Sequence, residues 1–147
     1  MFRYLIIEDN DQARQLLALQ KISYKVEADL IRYSDLPPLN DTLEILQNSK
    51  ETFCGYYDGA RLVGAISYER RGDVLDICRL MVHPEFFRRE IAQTMLQEID
   101  GMEKAEIMTV STGSKNIPAL KFYQRYGFVA QGEREVASGI FITSLKK

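Results

Sequence analysis

The sequence is short of the features that mark several large classes of protein. Its 147 residues contain no apolar run close to the roughly 20 residues of a membrane span. The start, MFRYLIIEDN, turns acidic too soon for a signal peptide. A formal net charge of -2 does not fit a nucleic-acid-binding surface. We therefore expect a cytoplasmic protein that binds neither nucleic acid nor a membrane.

Cysteine and histidine, which are common metal ligands, are also scarce. The two cysteines, Cys54 and Cys78, lie in strand-like segments without a metal-type spacing, and His83 is the only histidine. We interpret both cysteines as buried free thiols of a reducing compartment. No repeat, low-complexity tract or linker interrupts the chain, so we expect one domain over residues 1–147 and no metal site.

What the sequence does contain is a series of short β-rich segments and amphipathic helices. FRYLII predicts a strand and DNDQARQLLALQKI a helix, whereas the stretch from Tyr24 to the Pro37-Pro38 pair is part helical at most. Asp41 and Glu44 resemble a capping pair that opens a short helix. TFCGYY and RLVGAISYE flank an Asp-Gly turn and predict a hairpin, and VLDICRLMV predicts another strand.

The second half contains two further helices, each of them preceded by a strand. Ile91, Met95 and Ile99 mark the apolar stripe of the first. EIMTVS is a mostly apolar strand, and Asn116 and Gly127 bound the second helix as its N-cap and its stop. FVAQGE and GIFITSL add two strands, which we expect to be antiparallel. The order β, helices, βββ, α, β, α, ββ predicts an α/β protein with a sheet of mixed direction.

The segment VHPEFFRREIA, residues 82–92, leads from a strand into a helix. Amide N–H groups at a helix start have no partner inside the helix, and together with the helix dipole they bind phosphate. Arg88 and Arg89 add charge suited to phosphoryl oxygens, although cations at this end are otherwise slightly unfavourable. The segment therefore predicts a phosphate site, and the alternative is a surface helix with a basic first turn.

Two segments resemble the motifs of the GCN5-related N-acetyltransferase (GNAT) family. The first motif commonly reads V-x-P-x-x-[Q/R]-x-x-G-x-[G/A]. VHPEFFRREIA matches it at Val82, Pro84 and Ala92 and departs from it at Phe87 and Glu90. VSTGSKNIPALKFYQRYGF is similar to the second motif, N-x-x-A-x-x-x-Y-x-x-x-G-F. The positions in register are Asn116, Ala119, Tyr123, Gly127 and Phe128.

This resemblance covers essentially the full length and implies the GNAT fold. That fold has a central mixed, mostly antiparallel sheet of about six or seven strands, splayed at the cofactor site and flanked by about four helices. A bulge near Arg79 to Met81 is expected to produce the splay and to free an N–H group that polarises a thioester.

The resemblance also implies acetyl-CoA as the acyl donor. Its pyrophosphate would bind the amides of residues 88–92, and its pantetheine arm would run along the strand before them. The residues assigned to the donor are Leu80, Met81, Val82, Phe87, Arg88, Arg89, Glu90, Ile91, Ala92, Asn116 and Tyr123.

Tyr123 is expected to be the general acid of the reaction. A phenol, with an ordinary pKa of about 10, can protonate a leaving thiolate whose ordinary pKa is about 8.5. The alternative is a tyrosine that only packs in the core. Asp76 is the first candidate for the base by position, unless it is an exposed carboxylate paired with Arg61 or Arg79. His83 and Glu27 are weaker candidates.

Residues 24–42 are expected to form the wall on the acceptor side. Tyr24, Glu27 and Asp29 would bind the acceptor, and the carboxylates suggest a cationic small-molecule amine. The alternative is a solvated helix face. Two other functions are left open, a non-catalytic acyl-CoA-binding sensor and a transferase for protein or peptide amines, and so is a homodimer.

Glu90 stands where the family usually has glycine. If residue 90 has already entered the helix, its φ is negative and a glutamate in the first turn is favoured. On that interpretation, Glu90→Gly would change the affinity for acetyl-CoA only modestly.

Overall fold

The computed structural model describes residues 1–87 and 89–147. The helices in this part of the chain are α1 (Asn10–Ile31), α2 (Leu43–Gln47), α3 (Ile91–Glu103) and α4 (Ile117–Arg125), with 3₁₀ turns at Pro37–Asn40 and Pro84–Phe86. The strands are β1 (Phe2–Tyr4), β2 (Thr52–Asp58), β3 (Arg61–Arg71), β4 (Val74–Val82), β5 (Ile107–Gly113), β6 (Val129–Ala137) and β7 (Ile140–Lys146). None of the described helices is both long enough and apolar enough to cross a membrane.

The strands form one seven-stranded sheet in the order β1-β2-β3-β4-β5-β7-β6. Neighbouring strands are antiparallel, with the exception of β4 and β5, which are parallel. The pairing of β4 with β5 ends at Ile77 and Val110, although the strands continue to Val82 and Gly113. The two strands therefore separate and leave a V-shaped gap. This confirms the predicted α/β fold with a splayed, mixed and mostly antiparallel sheet.

A β-bulge lies in β4 just where the separation begins. Ser67 of β3 pairs with Arg79, and its neighbour Tyr68 pairs with Ile77, so Cys78 is the extra residue. The bulge was expected near residues 79–81 and lies one residue earlier. An extra residue bends the strand that carries it, and here the bend leads β4 away from β5.

The same bulge decides which face of the sheet the next side chains occupy. Side chains alternate between the two faces of a strand, and one inserted residue reverses the alternation. Ile77 lies in the apolar core under α3, whereas Met81 lies in the second core beside α1. Arg79 also faces α1, where it contacts Gln20. Without the bulge, Arg79 would point into the apolar core around Ile77.

The helices cover both faces of the sheet. Ile91, Met95 and Ile99 of α3 are buried in the first core, to which α4 contributes Tyr123. A Cβ atom on Gly64 of β3 would lie 3.0 Å from Cγ2 of Ile91, so α3 approaches the strand closely at this point. The apolar side chains of α1 and α2 form the second core with β2, β3 and Met81.

Two local predictions had different outcomes. The stretch from Tyr24 to the Pro37-Pro38 pair is part helical, as predicted, because α1 continues through buried Ala28 to Ile31 and ends before the prolines. The capping prediction was wrong. Thr42, rather than Asp41, caps α2, since its hydroxyl accepts the amide N–H of Ile45 at 3.2 Å. The Asp41 carboxylate is used elsewhere, in a buried ion-pair network.

Candidate active site

A cavity of about 450 Å³ opens where β4 and β5 separate. Its walls come from α1 and the segment after it, from β4, β5 and α4, and from the hairpin of β6 and β7. Among the predicted site residues, those that line it are Tyr24, Glu27, Leu80, Asn116 and Tyr123. The gap in the sheet therefore brings together residues that are almost 100 positions apart in the sequence (123 − 24 = 99).

The Tyr123 ring is fixed by two aromatic neighbours. It meets Phe122 and Phe128 edge-on, with centroid distances of 5.2 and 5.4 Å, while the residue also lines the cavity. Burial, and then the nearby Tyr24 and Glu27, raise the pKa of Tyr123 well above its ordinary value. The hydroxyl therefore stays protonated throughout the neutral and mildly alkaline range.

Tyr24 and Glu27 approach Tyr123 from α1. Burial and then the Glu27 carboxylate raise the pKa of Tyr24, against smaller opposing effects of Arg79 and of a backbone hydrogen bond at Leu80. Glu27 accepts a hydrogen bond from the Thr112 hydroxyl of β5 at 3.2 Å. The cavity thus holds two protonated phenols close to one carboxylate.

Other predicted candidates do not lie at the cavity. The Asp76 carboxylate accepts a 2.7 Å hydrogen bond from the Thr109 hydroxyl, because the two residues are paired across β4 and β5 before the strands separate. It pairs with neither Arg61 nor Arg79, which bind other carboxylates. Asp29 is exposed and pairs with Lys25 at 3.1 Å. Neither Asp76 nor Asp29 lines the cavity.

His83 lies in the turn before α3. Its Nδ1 accepts the amide N–H of Glu85 at 3.1 Å and thereby caps the 3₁₀ turn Pro84–Phe86. Arg61 lies 3.2 Å from Nε2 of His83 and forms an ion pair with Glu85 at 2.9 Å. The contacts of His83 therefore organise the loop, and the residue does not line the main cavity.

Arg79 is the centre of a buried polar network behind the cavity. Its guanidinium group binds Asp41 at 2.9 Å and Glu51 at 3.1 Å, and it donates to the side-chain amide oxygen of Gln20 at 2.8 Å. Ser67 donates to Glu51 at 2.6 Å. The Arg79, Asp41 and Glu51 side chains are 13%, 14% and 12% exposed. One cation thus serves two carboxylates, and this part of the network carries a net charge of -1.

The network also holds the segment that walls the cavity. The Gln20 side-chain amide donates to the Pro38 carbonyl oxygen at 2.8 Å and to Asp41 at 2.9 Å. Pro37 and Pro38 line the cavity. Because these bonds originate from α1 and β4, they tie the loop to both elements.

The start of α3 is suited to an anion. Described side chains cap the other three α-helices, namely Asp9, Thr42 and Asn116, but no described side chain caps α3. The first amides of a helix lack an acceptor inside the helix, so those of residues 91–93 are available. The Arg89 guanidinium lies 4.9 Å from the centre of the Phe86 ring, which keeps it beside this end. This arrangement fits a phosphate group.

The other residues predicted to bind the acyl donor lie in β4, in the loop after it and in α3, and they differ in exposure. Phe87 is exposed, Ile91 is buried in the core and Met81 is buried in the second core. Ala92 is half-buried in the first turn of α3, and Val82 packs against the first core. Arg88 lies outside the described residues.

Glu90 differs from the expectation. It is the N-cap residue of α3 with a φ of 60° and a ψ of 21°, so it precedes the helix in the left-handed region. A residue with a Cβ atom is disfavoured there by about 1–2 kcal/mol, whereas glycine is not. The supposition that residue 90 has a negative φ was wrong. Glu90 therefore occupies a backbone conformation that glycine adopts more easily.

Cys54 is buried as expected, but Cys78 is exposed and lines the cavity. The bulge turns Cys78 out of the regular alternation and therefore out of the core. Partial desolvation of its sulfur at the cavity wall, followed by the carboxylates of Glu51 and Asp76, raises the pKa of Cys78 to about 12. The thiol is accordingly a poor nucleophile at neutral pH.

Two charged residues that line the cavity, Arg79 of β4 and Arg134 of β6, were not predicted as site residues. Arg134 lies opposite Ile142 of β7 on one face of the hairpin, and Val136 is the extra residue of a bulge in β6; all three residues line the cavity with Ile140. Only the folding of the β6–β7 hairpin beside β5 shows that this face borders the cavity.

The fold and the site define a mixed α/β protein with a ligand cavity between two separating parallel strands and an open helix start beside it. Residues 35–147 match the family model of the acetyltransferase (GNAT) domain. The chain belongs to the GNAT family of acetyltransferases.

An individual protein is also similar to this chain in sequence. UPF0157 protein YqkA from Bacillus subtilis (strain 168) is 36% identical over 144 residues, which are 97% of this chain and 42% of that protein. The chain therefore spans less than half the length of this relative.

Solved structures show the fold. The PaiA N-acetyltransferase from Thermoplasma acidophilum in complex with coenzyme A has a TM-score of 0.80 at 21% identity, covering 100% of this chain and 98% of that one. The ribosomal-protein-S18-alanine N-acetyltransferase from Escherichia coli has a TM-score of 0.75 at 11% identity, covering 99% and 92%.

Proposed function

We propose that this acetyltransferase moves the acetyl group of acetyl-CoA to the primary amine of a small molecule. The observation that carries the proposal is the meeting of Tyr123, Tyr24 and Glu27 in one cavity at the gap between β4 and β5. The open start of α3, with Arg89 beside it, would hold the pyrophosphate, and Leu80 and Asn116 would border the pantetheine arm. A relative of the same fold is known with coenzyme A bound.

The reaction needs one proton removed and one supplied. The amine nitrogen forms a bond to the acetyl carbon, the carbon–sulfur bond breaks, and the thiolate leaves. Glu27 takes the proton that the nitrogen loses, directly or through a water molecule, and Tyr123 protonates the sulfur. Glu27 replaces Asp76 as the proposed base, because Asp76 lies outside the cavity.

The two steps support each other electrostatically. The negative charge of Glu27 is one cause of the raised pKa of Tyr123. When Glu27 takes up a proton, that charge disappears and the Tyr123 hydroxyl becomes a stronger acid at the moment when the thiolate needs a proton. The burial that raises the pKa of Tyr123 also raises the proton affinity of a thiolate left in the same place.

The test is release of free thiol from acetyl-CoA in the presence of a panel of amines. Tyr123→Phe should lower kcat at least 100-fold, on the order of a general-acid contribution, while the affinity for acetyl-CoA measured by calorimetry stays within about twofold. Tyr126→Phe, at the C-cap of the same helix and outside the cavity, is the matched control. Since the pKa of Tyr123 is raised, its hydroxyl should cause no fall in kcat up to pH 10. Unchanged turnover in Tyr123→Phe would contradict the assignment of Tyr123 as the general acid.

The choice of base is tested by a second pair of variants. Glu27→Gln should depress turnover strongly, and Asp76→Asn should leave it nearly unchanged. The reverse result would return the role to Asp76. Binding of acetyl-CoA without turnover on any amine would favour an acyl-CoA-binding sensor, and turnover on peptides alone would favour a protein amine as acceptor.

A further inference from the structure

Two groups of residues that line the cavity come from different parts of the fold. One belongs to the end of α1 and the segment after it, with Glu27, Tyr33 and Leu36, and the other to the β6–β7 hairpin, with Arg134 and Ile142. Among the described residues, the charged side chains that line the cavity are Glu27, Arg79 and Arg134. Their partners decide which charges remain for a ligand.

The charge of Arg79 is already used by the protein. Asp41 and Glu51 bind its guanidinium group at 2.9 and 3.1 Å, and both ion pairs are largely buried. The two carboxylates more than balance the positive charge of Arg79, so Arg79 offers little attraction to an anionic ligand in the cavity.

Glu27 and Arg134 differ from Arg79 in this respect. Among the described residues, Glu27 is held only by the Thr112 hydroxyl and forms no ion pair. No described carboxylate lies within ion-pair distance of Arg134. Its neighbours in β6, Glu133 and Glu135, point to the opposite face of the strand, and Glu135 accepts the amide N–H of Gly139 at 3.1 Å.

The surroundings of Arg134 are apolar. Val136, Ile140 and Ile142 lie beside it along the cavity, and Leu36 and Pro37 line the other wall. Arg134 itself is exposed, so an ion pair with a ligand carboxylate is strengthened only as far as the apolar part of the ligand covers it. A guanidinium group also binds a carboxylate through two parallel hydrogen bonds, which selects for that group over a neutral amide.

From these observations, and resting on the acetyl transfer proposed above, we propose that the acceptor is an amino acid. Its amine lies at Glu27 beside Tyr123, its carboxylate pairs with Arg134, and its apolar part lies against the hairpin. Arg134 is then a specificity-determining residue, and it takes no part in the proton transfers.

The experiment uses the full chain with acetyl-CoA and measures thiol release with matched pairs of acceptors. Each pair consists of an amino acid and its amide. One set is leucine, phenylalanine and methionine, and the other is a length series from glycine to 6-aminohexanoate, whose best member reports the span between the two charges. The wild-type protein should prefer the acid, and Arg134→Gln should lower kcat/KM for the acid by about tenfold, the low end for a charged hydrogen bond, because Arg134 is exposed. For the amide, kcat/KM should stay within about twofold.

Two control variants separate the effect of the positive charge at residue 134 from the effect of the guanidinium geometry and from a general effect of removing an arginine. Arg134→Lys keeps the charge without the planar fork and should give an intermediate loss. Arg125→Gln removes an arginine from α4 outside the cavity and should change neither acceptor. For each variant, the ratio of kcat/KM for the acid to kcat/KM for the amide is compared with the same ratio in the wild-type protein. The different basicities of the two amines cancel in this comparison.

The outcomes distinguish this inference from the proposal on which it rests. Turnover of amines without preference for the acid, and without effect of Arg134→Gln, would overturn the role of Arg134 and leave acetyl transfer standing. Absence of turnover with every acceptor would overturn acetyl transfer. In that case, calorimetry with the amino acids in the presence of CoA decides whether the cavity binds an amino acid through Arg134. Binding that Arg134→Gln abolishes would support the site, and no binding would overturn it.

Discussion

The buried pairing of Arg79 with Asp41 and Glu51 predicts a large loss of stability when the arginine is removed. Arg79→Met keeps much of the aliphatic volume but leaves two carboxylates that are only 14% and 12% exposed without their cation. Breaking a buried pair by removing one partner costs about 3–5 kcal/mol. For a chain of 147 residues, each kcal/mol corresponds to about 2–4 °C, so Tm should fall by roughly 6 to 20 °C.

The measurement is urea unfolding at constant pH, followed by circular dichroism, with thermal unfolding as a second probe. Arg71→Met is the matched control, because Arg71 forms an ion pair of similar length with Glu69, at 3.0 Å, but its side chain is 79% exposed. An exposed pair contributes about 0–1 kcal/mol. The two substitutions have the same chemistry and differ in burial.

A combined variant tests whether the loss of stability comes from the two buried carboxylates that are left without a cation. Arg79→Met together with Asp41→Asn and Glu51→Gln removes all three charges, so the penalty for unpaired buried carboxylates disappears. This variant should recover a substantial part of the stability that Arg79→Met loses. A loss below about 1 kcal/mol in Arg79→Met, or no recovery in the combined variant, would refute the account of the network.

Two further predictions concern Glu90 and Cys78. Glu90→Gly should raise the free energy of unfolding by up to about 1 kcal/mol, since the left-handed conformation favours glycine, whereas Glu90→Gln should not. Equal stabilisation by both variants, measured by urea unfolding, would instead point to the charge. In a Cys54→Ser background, Cys78 should react with iodoacetamide at pH 8 at least tenfold more slowly than free cysteine, because its pKa is raised to about 12. The rate should still be rising at pH 10, and a plateau near pH 9 would contradict this.

Local patterns were sufficient to predict most elements of the fold. The Asp-Gly turn between β2 and β3, the apolar stripe of α3, and the Asn116 cap with the Gly127 stop of α4 each depend on neighbours in the sequence, and each element is present. Two motifs in the correct order then indicated the family. The exact end of α1 was left open by the sequence pattern, because Ile31 lies beside Gly113 of the distant strand β5.

The site was harder to predict because its chemistry depends on a single inserted residue and on long-range burial. Asp76 was a reasonable base on a regular strand, but the strands are still paired at Asp76, and the part of β4 that lines the cavity begins at Ile77. Arg79 reads as a surface arginine until the bulge turns it towards Gln20 and Asp41.

The bulge connects the two halves of the site. It leads β4 away from β5 and so opens the space in which Tyr123 meets Glu27, and it turns Arg79 to the face where the Asp41 loop can be held as a wall of that space. A strand without the extra residue would close the gap and bury the guanidinium group against apolar side chains. The cavity and the network that supports its wall therefore depend on the same residue, Cys78, through its place in the backbone and independently of its thiol.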